Sequence, residues 1–415
     1  MIETASIAAV PNSGRSLPCK SACRTEYSFL EFFAGIGLTH LGLKSHGWKC
    51  IYANDIEDKK RRMYESCFGR ADYYHVEDIW KTTKIISRIP SERADLASAS
   101  FPCVDLSLAG NLKGFEGEQS GAFYGFLKVL SALKESTLAP KAVLVENVIG
   151  FLASHEGKFL RIAIRELSKL GYYVDAFVVD AKYFVPQSRP RLFLVGFSEL
   201  SRGGSHAERE CNSRSFWDPQ GVDTFRPARL VQMLRETPLK TGWIPFHLPA
   251  LPRENRTLEN LIDTEKSQEW WDEAVVNKHL AEMHAKHRDR VERLKHRKDL
   301  TVGTIYRRVR EGKSRSEIRT DGLAGCLRTP RGGSSRQIVL VVGRGKIRMR
   351  WMSPREYARL QGCPDFPIEV ERNEALYSFG DAVCVPVISW IAENVLAQIF
   401  PGTGRLSELQ QAACD

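Results

Sequence analysis

The sequence predicts an α/β protein, built on a mixed, mostly parallel sheet with a second, smaller unit attached. Three observations carry this. Between Tyr27 and about Phe197, short β-rich runs alternate with stretches whose apolar residues recur at helical spacing, the pattern of strands joined by crossover helices. Two of the later runs, YYVDAFVVD and RLFLVGF, follow each other too closely for a helix and predict an antiparallel hairpin at the sheet edge. After Gly196 the chain becomes polar and glycine-containing (SRGGSHAERECNSRS) and loses its apolar period, which marks a boundary.

Taken in order, the expected strands are YSFLEFFA, WKCIYAND, ADLASAS, AVLVENV and the two hairpin runs. Between them LTHLGLKSHG, KRRMYESCFG, FYGFLKVLSALKES and FLRIAIRELSKLG read as helices. Residues 1 to 26 mix Ala, Ser, Pro and Arg without periodicity and are expected to be a flexible extension. Beyond the boundary, residues 265 to 298 are strongly basic. Trp270, Trp271, Ala274, Val275, Leu280, Met283, Val291 and Leu294 roughly trace one apolar stripe there, so a single long helix is expected. Arg-, Ser- and Gly-rich runs follow before apolar periodicity returns at VCVPVISWIAENVLAQIF, and there is no internal repeat.

A chain of 415 residues is too long for one ordinary core, so two lobes are the natural expectation. Sixty Lys and Arg against fifty Asp and Glu leave a formal charge of +10, which favours a polyanionic partner without identifying one. Ten cysteines with no C-x-x-C pair suit neither a disulfide framework nor a Cys₄ zinc site and fit a reducing compartment. With no apolar run of about eighteen residues and no signal-peptide core, a cytoplasmic protein with no membrane contact is expected.

Four motifs carry chemistry. In Phe32-Phe33-Ala34-Gly35-Ile36-Gly37 a strand enters a glycine turn that opens a helix, and Asp55 ends the next strand. Glycines let backbone approach a nucleotide-like ligand and the acid can take ribose hydroxyls, although such a turn is often only a turn. No Lys or Arg stands in it, so a diphosphate is not called for, and Asp78 could accept from an adenine amino group. Phe101-Pro102-Cys103 follows a strand and precedes a glycine-rich run, which sets Cys103 on the ligand edge of the sheet, whereas a lone cysteine is commonly a buried small hydrophobe. Glu146-Asn147-Val148 ends another strand; its carboxylate is costly to bury without a task, helix capping being the plain alternative. In Gln187-Ser188-Arg189-Pro190-Arg191 the two arginines alternate and so share a face, as surface residues or as binders of anions and carbonyl oxygens.

Together and in this order, FFAGIG, NDIE, Asp78-Ile79, DLASASFPCVDLSLAGNLKGF, VENV, QSRPR, SPREYARLQGCP and FGDAV resemble the successive motifs of the cytosine-C5 DNA methyltransferases, over roughly residues 27 to 199 and 347 to 400. The resemblance implies a Rossmann-like methyltransferase domain over 27–199 with 375–403, a target-recognition domain over 200–374, and a tail over 404–415. It implies S-adenosylmethionine as methyl donor, Cys103 as nucleophile at C6 of cytosine, Glu146 at N3, Arg191 holding O2 and Arg189 supporting it. The donor's pocket would comprise Phe33, Gly35, Gly37, Asp55, Ile56, Asp78, Ile79, Pro102, Asp381 and Val383. Departures are Leu38 where glycine is frequent, Asp55 for glutamate, Val104 for glutamine and Asp381 for asparagine; the last puts the detail of cofactor contact most in doubt.

Such enzymes flip the target cytosine out of the duplex, with the loop from 103 to 121 closing over it. Double-stranded DNA is thus the expected partner, with a separate cognate restriction endonuclease as a further one, and the chain is expected to act as a monomer near the nucleoid. Tyr306, Arg307, Arg308, Arg328 and Arg331 are the candidate DNA readers, arginine being the commonest reader of guanine, although a charge run is commonly phosphate-binding surface. His279, His284, His287 and His296 lie among Lys and Arg on the expected helix and no metal is expected. Three rivals are a tRNA cytosine methyltransferase, a DNA binder that kept the fold without activity, and a nicotinamide-dependent dehydrogenase. The long basic recognition region, the intact Cys103, Glu146, Arg191 and Asp78, and the motifs beyond G-x-G argue against them in turn.

Overall fold

The structure, a computed structural model, describes residues 26–101, 121–198, 224–252, 257–264, 269–310, 313–329 and 336–400. Cys103, Pro102 and Arg331 lie outside them, as do the N-terminal extension and the tail.

Seven strands, β1 (Tyr27–Phe32), β2 (Trp48–Asp55), β3 (Tyr74–Val76), β4 (Leu96–Ala99), β5 (Ala142–Val148), β6 (Tyr173–Asp180) and β7 (Pro190–Phe197), form one sheet in the order β3-β2-β1-β4-β5-β7-β6. The first five strands of that order are parallel, and β7 runs antiparallel between β5 and β6. The expected hairpin is therefore present, with β6 at the edge. Strands β1, β5 and β7 are buried along almost their whole length and largely apolar, as a sheet covered by helices on each side requires, with Glu31 in β1 and Glu146 in β5 among the exceptions. The short β3 went unread in the sequence, because three residues are too few for a period to emerge.

From β1 the chain winds outward to β2 and β3, then returns to β4 on the other side of β1. The carboxyl ends of β1 and β4 thus form the topological switch point, where open α/β sheets take their ligands. Helices α1 (Leu38–Lys44) and α2 (Asp58–Phe68) leave the ends of β1 and β2. At the C-terminus Val385–Asn394 packs on α1 so closely that a Cβ on Gly42 would meet Ile388 at 2.7 Å. By length and composition the segment Arg372–Gln398 could cross a membrane, contrary to the expectation that no such run exists. It is instead broken at Ala382, and its two helices supply core residues such as Leu376, Phe379, Ile388 and Ile391.

A second, antiparallel sheet of order β11-β10-β8-β9 comprises β8 (Thr301–Arg310), β9 (Lys313–Arg319), β10 (Ile338–Gly343) and β11 (Lys346–Trp351). The expected long helix is two helices, Glu273–Ala281 and Ala285–Lys295. The break has a local cause: Ser316 of β9 donates its N–H to Glu282 O at 3.2 Å, Met283 bridges to Ser316, and the His284 ring accepts from Lys286 N at 3.3 Å as an N-cap.

Residues beyond 200 also join the first sheet. Arg226 pairs with Asp175 of β6 in the core, where the same carboxylate accepts from Trp243 Nε1 at 2.9 Å and Phe246 N at 2.9 Å. With Ala176 N donating as well, several donors satisfy one buried charge, the condition for tolerating it. Near the second sheet Arg350 holds Glu356 bidentately at 2.6 and 2.8 Å and so fixes the helix Pro354–Leu360, whose capping box is Ser353 with Glu356.

Candidate active site

The glycine turn is built by backbone geometry that only certain residues tolerate. Phe33, Gly35 and Gly37 have φ of 56°, 56° and 80°. Gly37 has a second reason to lack a side chain, because a Cβ there would lie 2.5 Å from the Phe68 ring and 2.7 Å from Tyr64. Among the described residues, a Cβ on Gly35 would meet the Lys60 stem alone, at 4.0 Å. Asp55, at the end of β2, pins it: Oδ2 accepts from Gly35 N at 2.9 Å and Oδ1 from Glu57 N at 3.0 Å. Beside it Ile56 is 66% exposed, an unusual position for a large apolar side chain and one suited to a flat apolar ring. Asp78 is half-buried and accepts from Trp80 N at 3.0 Å, while Ile79 is buried against Gly125. Ile79 is thus a wall of the core rather than an open contact. Val383 is buried and Asp381 exposed at the end of the helix Arg372–Asp381.

Phe101 fixes the chain two positions before Cys103. Its ring is buried against Phe123 and Phe151, with Phe33 of the turn 6.3 Å away edge-on, and its carbonyl accepts from Asn147 Nδ2 at 3.4 Å. The chain therefore heads towards Cys103 from between the glycine turn and the end of β5.

At that end Glu146 is buried and Arg191 Nε lies 2.9 Å from its Oε1. Antiparallel register brings this about, since Val148 is level with Arg191. Burial works against the charge of Arg191, but Cys326 and Glu146 outweigh it and hold the guanidinium above its ordinary range. Arg189 faces the same way yet does a different job. Fully buried, it donates to Leu327 O at 2.8 Å, Ala382 O at 2.6 Å and Gly380 O at 3.2 Å, tying β7 to both the 324–329 strand-like segment and the C-terminal helix end. Gln187 adds a tie, donating to Leu360 O at 2.7 Å and accepting from Leu327 N at 3.1 Å. Gly380 permits the approach, because a Cβ there would sit 2.6 Å from the Arg328 backbone.

Cys326 was not anticipated. Its thiol lies 3.5 Å from Arg189 Nη1 and 3.7 Å from Arg191 Nη2. Burial would push it up, but Arg191 and Arg189 prevail and hold it below the ordinary cysteine range. Only the tertiary fold brings residue 326 here, so no sequence spacing could have flagged it.

A glycine cradle, an acid at the end of the second strand, an exposed apolar rim, and an acid–arginine pair beside the root of a cysteine loop all lie at one edge of one sheet. A family model for C-5 cytosine-specific DNA methylases matches residues 27–397. The chain belongs to that family.

The methylase is similar along most of its length to type II methyltransferases. It is 26% identical over 381 residues to M.HpaII of Haemophilus parainfluenzae, covering 91% of each chain. It is 25% identical to M.HhaI of Haemophilus parahaemolyticus, over 89% of this chain and 94% of that one. Among solved structures it resembles an Entamoeba histolytica methyltransferase, EhMeth, at TM-score 0.57 and 14% identity, over 91% of this chain and 98% of that one. It also resembles Schizosaccharomyces pombe Dnmt2 at TM-score 0.52 and 17% identity, over 88% and 97%. These last two establish the fold alone, an α/β methyltransferase. The enzyme is a DNA cytosine-C5 methyltransferase, and the family implies S-adenosylmethionine as its methyl donor.

The residues present fit that donor: the methylase has a turn at Gly35 that no described side chain fills, an exposed Ile56, and the carboxylates of Asp55 and Asp78 at one edge. Elsewhere, Glu31, His40 and Cys50 bring ligand-type atoms within 4.8 Å of one another in the core, a set that could hold a metal ion and that sequence spacing did not suggest. The candidate DNA readers are split by strand alternation. Tyr306 and Arg308 share a face of β8, where the Arg308 guanidinium lies 4.9 Å over the Tyr306 ring and both reach Glu317. Arg307 points to the other face, 5.2 Å over Trp351. Arg328 is exposed.

Proposed function

We infer that the methylase transfers a methyl group to C5 of a flipped-out cytosine within a specific duplex sequence, through a covalent bond between Cys103 and C6. The observation that carries the reading is the buried Glu146–Arg191 pair, 2.9 Å apart, beside the contact between Asn147 and Phe101, two positions before Cys103.

C6 of cytosine is a poor electrophile, so the ring must be polarised as the thiolate adds. Arg191 binds O2 and Glu146 engages N3 by hydrogen bond or proton, drawing electron density away as the S–C6 bond forms and the π pair moves to C5. The donor, when bound, supplies an electrophilic methyl group for that carbon. Loss of the C5 proton to a base then restores the C5–C6 double bond and expels the thiolate. Arg189 acts through its carbonyl contacts, by holding β7, the 326–328 segment and the C-terminal helix end in register around the base.

Gly35, Gly37, Phe33, Asp55, Ile56, Asp78, Pro102, Asp381 and Val383 would hold the donor, with Ile79 behind them. We assign residues 27–199 with 375–403 to catalysis and 200–374 to target recognition, where Tyr306, Arg308, Arg328 and Arg331 are the candidates to meet DNA and Arg307 supports its sheet. The type II relatives suggest a modification enzyme of a restriction–modification system or a solitary methylase; that it acts as a monomer on chromosomal DNA in the cytoplasm is part of the same proposal.

Expression in a methylation-free host followed by bisulfite sequencing tests this. The expected result is 5-methylcytosine at one recurrent sequence, absent with Cys103→Ala. Unmethylated DNA from the wild-type enzyme, or methylation that survives that substitution, would overturn it.

A further inference from the structure

Lys60, in the first turn of α2, lies beside the glycine turn, and its side chain is only 13% exposed. Its Nζ lies 3.9 Å from Asp55 Oδ2, 3.8 Å from Glu57 Oε1 and 3.6 Å from Asp381 Oδ2. One ammonium thus stands among three carboxylates that come from the end of β2, the start of α2 and the far C-terminal helix. Its methylenes form the floor facing Gly35, at 4.0 Å from where a Cβ would stand. Burial opposes the charge, yet Asp55, Asp381 and Glu57 together outweigh it and hold Lys60 above the ordinary lysine range.

The arrangement solves a specific problem. Asp55 and Asp381 flank the same turn from opposite ends of the chain, and like charges there would push the C-terminal wall away from the N-terminal one. We propose that Lys60 is a positioning residue that neutralises Asp381 and clamps the Gly380–Val383 segment against the glycine turn, and so assembles the pocket for the methyl donor. The inference rests on the cofactor reading given above.

It differs from a purely local ion pair in its dependence on Asp381. If the task of Lys60 is to offset that carboxylate, removing the carboxylate removes the need for the lysine. Lys60→Met should weaken S-adenosylmethionine binding about tenfold by calorimetry, and Lys60→Arg should bind within about twofold of the wild type. Whatever Asp381→Asn costs by itself as a pocket residue, adding Lys60→Met to it should cost much less affinity than Lys60→Met costs the wild type. The product S-adenosylhomocysteine should follow the same pattern, because the lost quantity is pocket assembly rather than contact with the sulfonium. Melting of the unliganded variants separates the clamp from general stability, and if Lys60→Met does not fold, Lys60→Gln with and without Asp381→Asn gives the same comparison.

Wild-type affinity in Lys60→Met, or an equal loss from Lys60→Met in the Asp381→Asn background, would overturn the proposal while leaving the cofactor reading intact. Failure of the wild-type protein to bind S-adenosylmethionine at all would sink that reading, and this inference with it.

Discussion

Glu31 has little use for a charge where it sits. Burial in β1 pushes its carboxyl up to about 8 from an ordinary value of 4.5, and Oε1 accepts from His40 N at 3.3 Å. Burial likewise lowers His40 to about 3, with its Nδ1 bonded to Tyr64 Oη at 2.8 Å and its ring stacked on Phe68. The fold binds the Glu31 proton more tightly than the unfolded chain does. That stabilisation is therefore complete below pH 4.5 and is lost as pH rises towards about 8. Glu31→Gln should flatten this fall and exceed the wild type by about 2 kcal/mol at pH 8, read from denaturant melts across pH 6 to 9. Parallel curves would contradict the assignment. At the site itself, Glu146→Gln should slow methyl transfer by roughly 10²–10⁴ with donor affinity unchanged. Single residues were legible where chemistry demanded an odd type at a strand end, as with Glu146, Asp55 and Arg191. Arg189 was placed in the same pocket by the family resemblance, alternation giving only a face shared with Arg191, and neither says anything of the three carbonyls it meets from distant segments.

Among elements, the glycine turn and the buried ion pair of β6 make the sharpest demands. Gly37→Ala places a side chain at φ 80° and against Tyr64 and Phe68, and should cost about 2–4 kcal/mol in denaturant melts. Arg226→Leu leaves the Asp175 carboxylate buried with fewer donors and should cost about 3–5 kcal/mol, more than the paired substitution of both residues by apolar ones. Strands of six to eight residues and their crossover helices could be read from apolar period. The second sheet was not, because β8 and β9 carry arginine and serine at most outward positions and reach burial only by pairing with each other and with β10. The long basic helix failed for a related reason: its apolar stripe continues through Met283, but a strand far along the chain captures the backbone there.

For the molecule as a whole, one sheet edge collects residues from 33 to 383, and a formal charge of +10 is spread over a chain whose candidate DNA-binding face includes Tyr306 and Arg308. The logarithm of duplex affinity should fall linearly with log salt, and Arg308→Ala should reduce the slope by about 1 if that side chain meets a phosphate. An unchanged slope would place it off the DNA path. The order of motifs along the chain made the catalytic edge legible, whereas the recognition face follows from a sheet that the sequence pattern did not disclose. The central claim concerns Cys103, and the most direct measurement is trapping on duplex DNA carrying 5-fluorocytosine at the target position. Fluorine at C5 blocks the loss that would release the cysteine. The enzyme should therefore form a denaturation-resistant adduct that requires both S-adenosylmethionine and Cys103; an adduct that persists in Cys103→Ala, or no adduct from an enzyme that methylates the unmodified duplex, would contradict it.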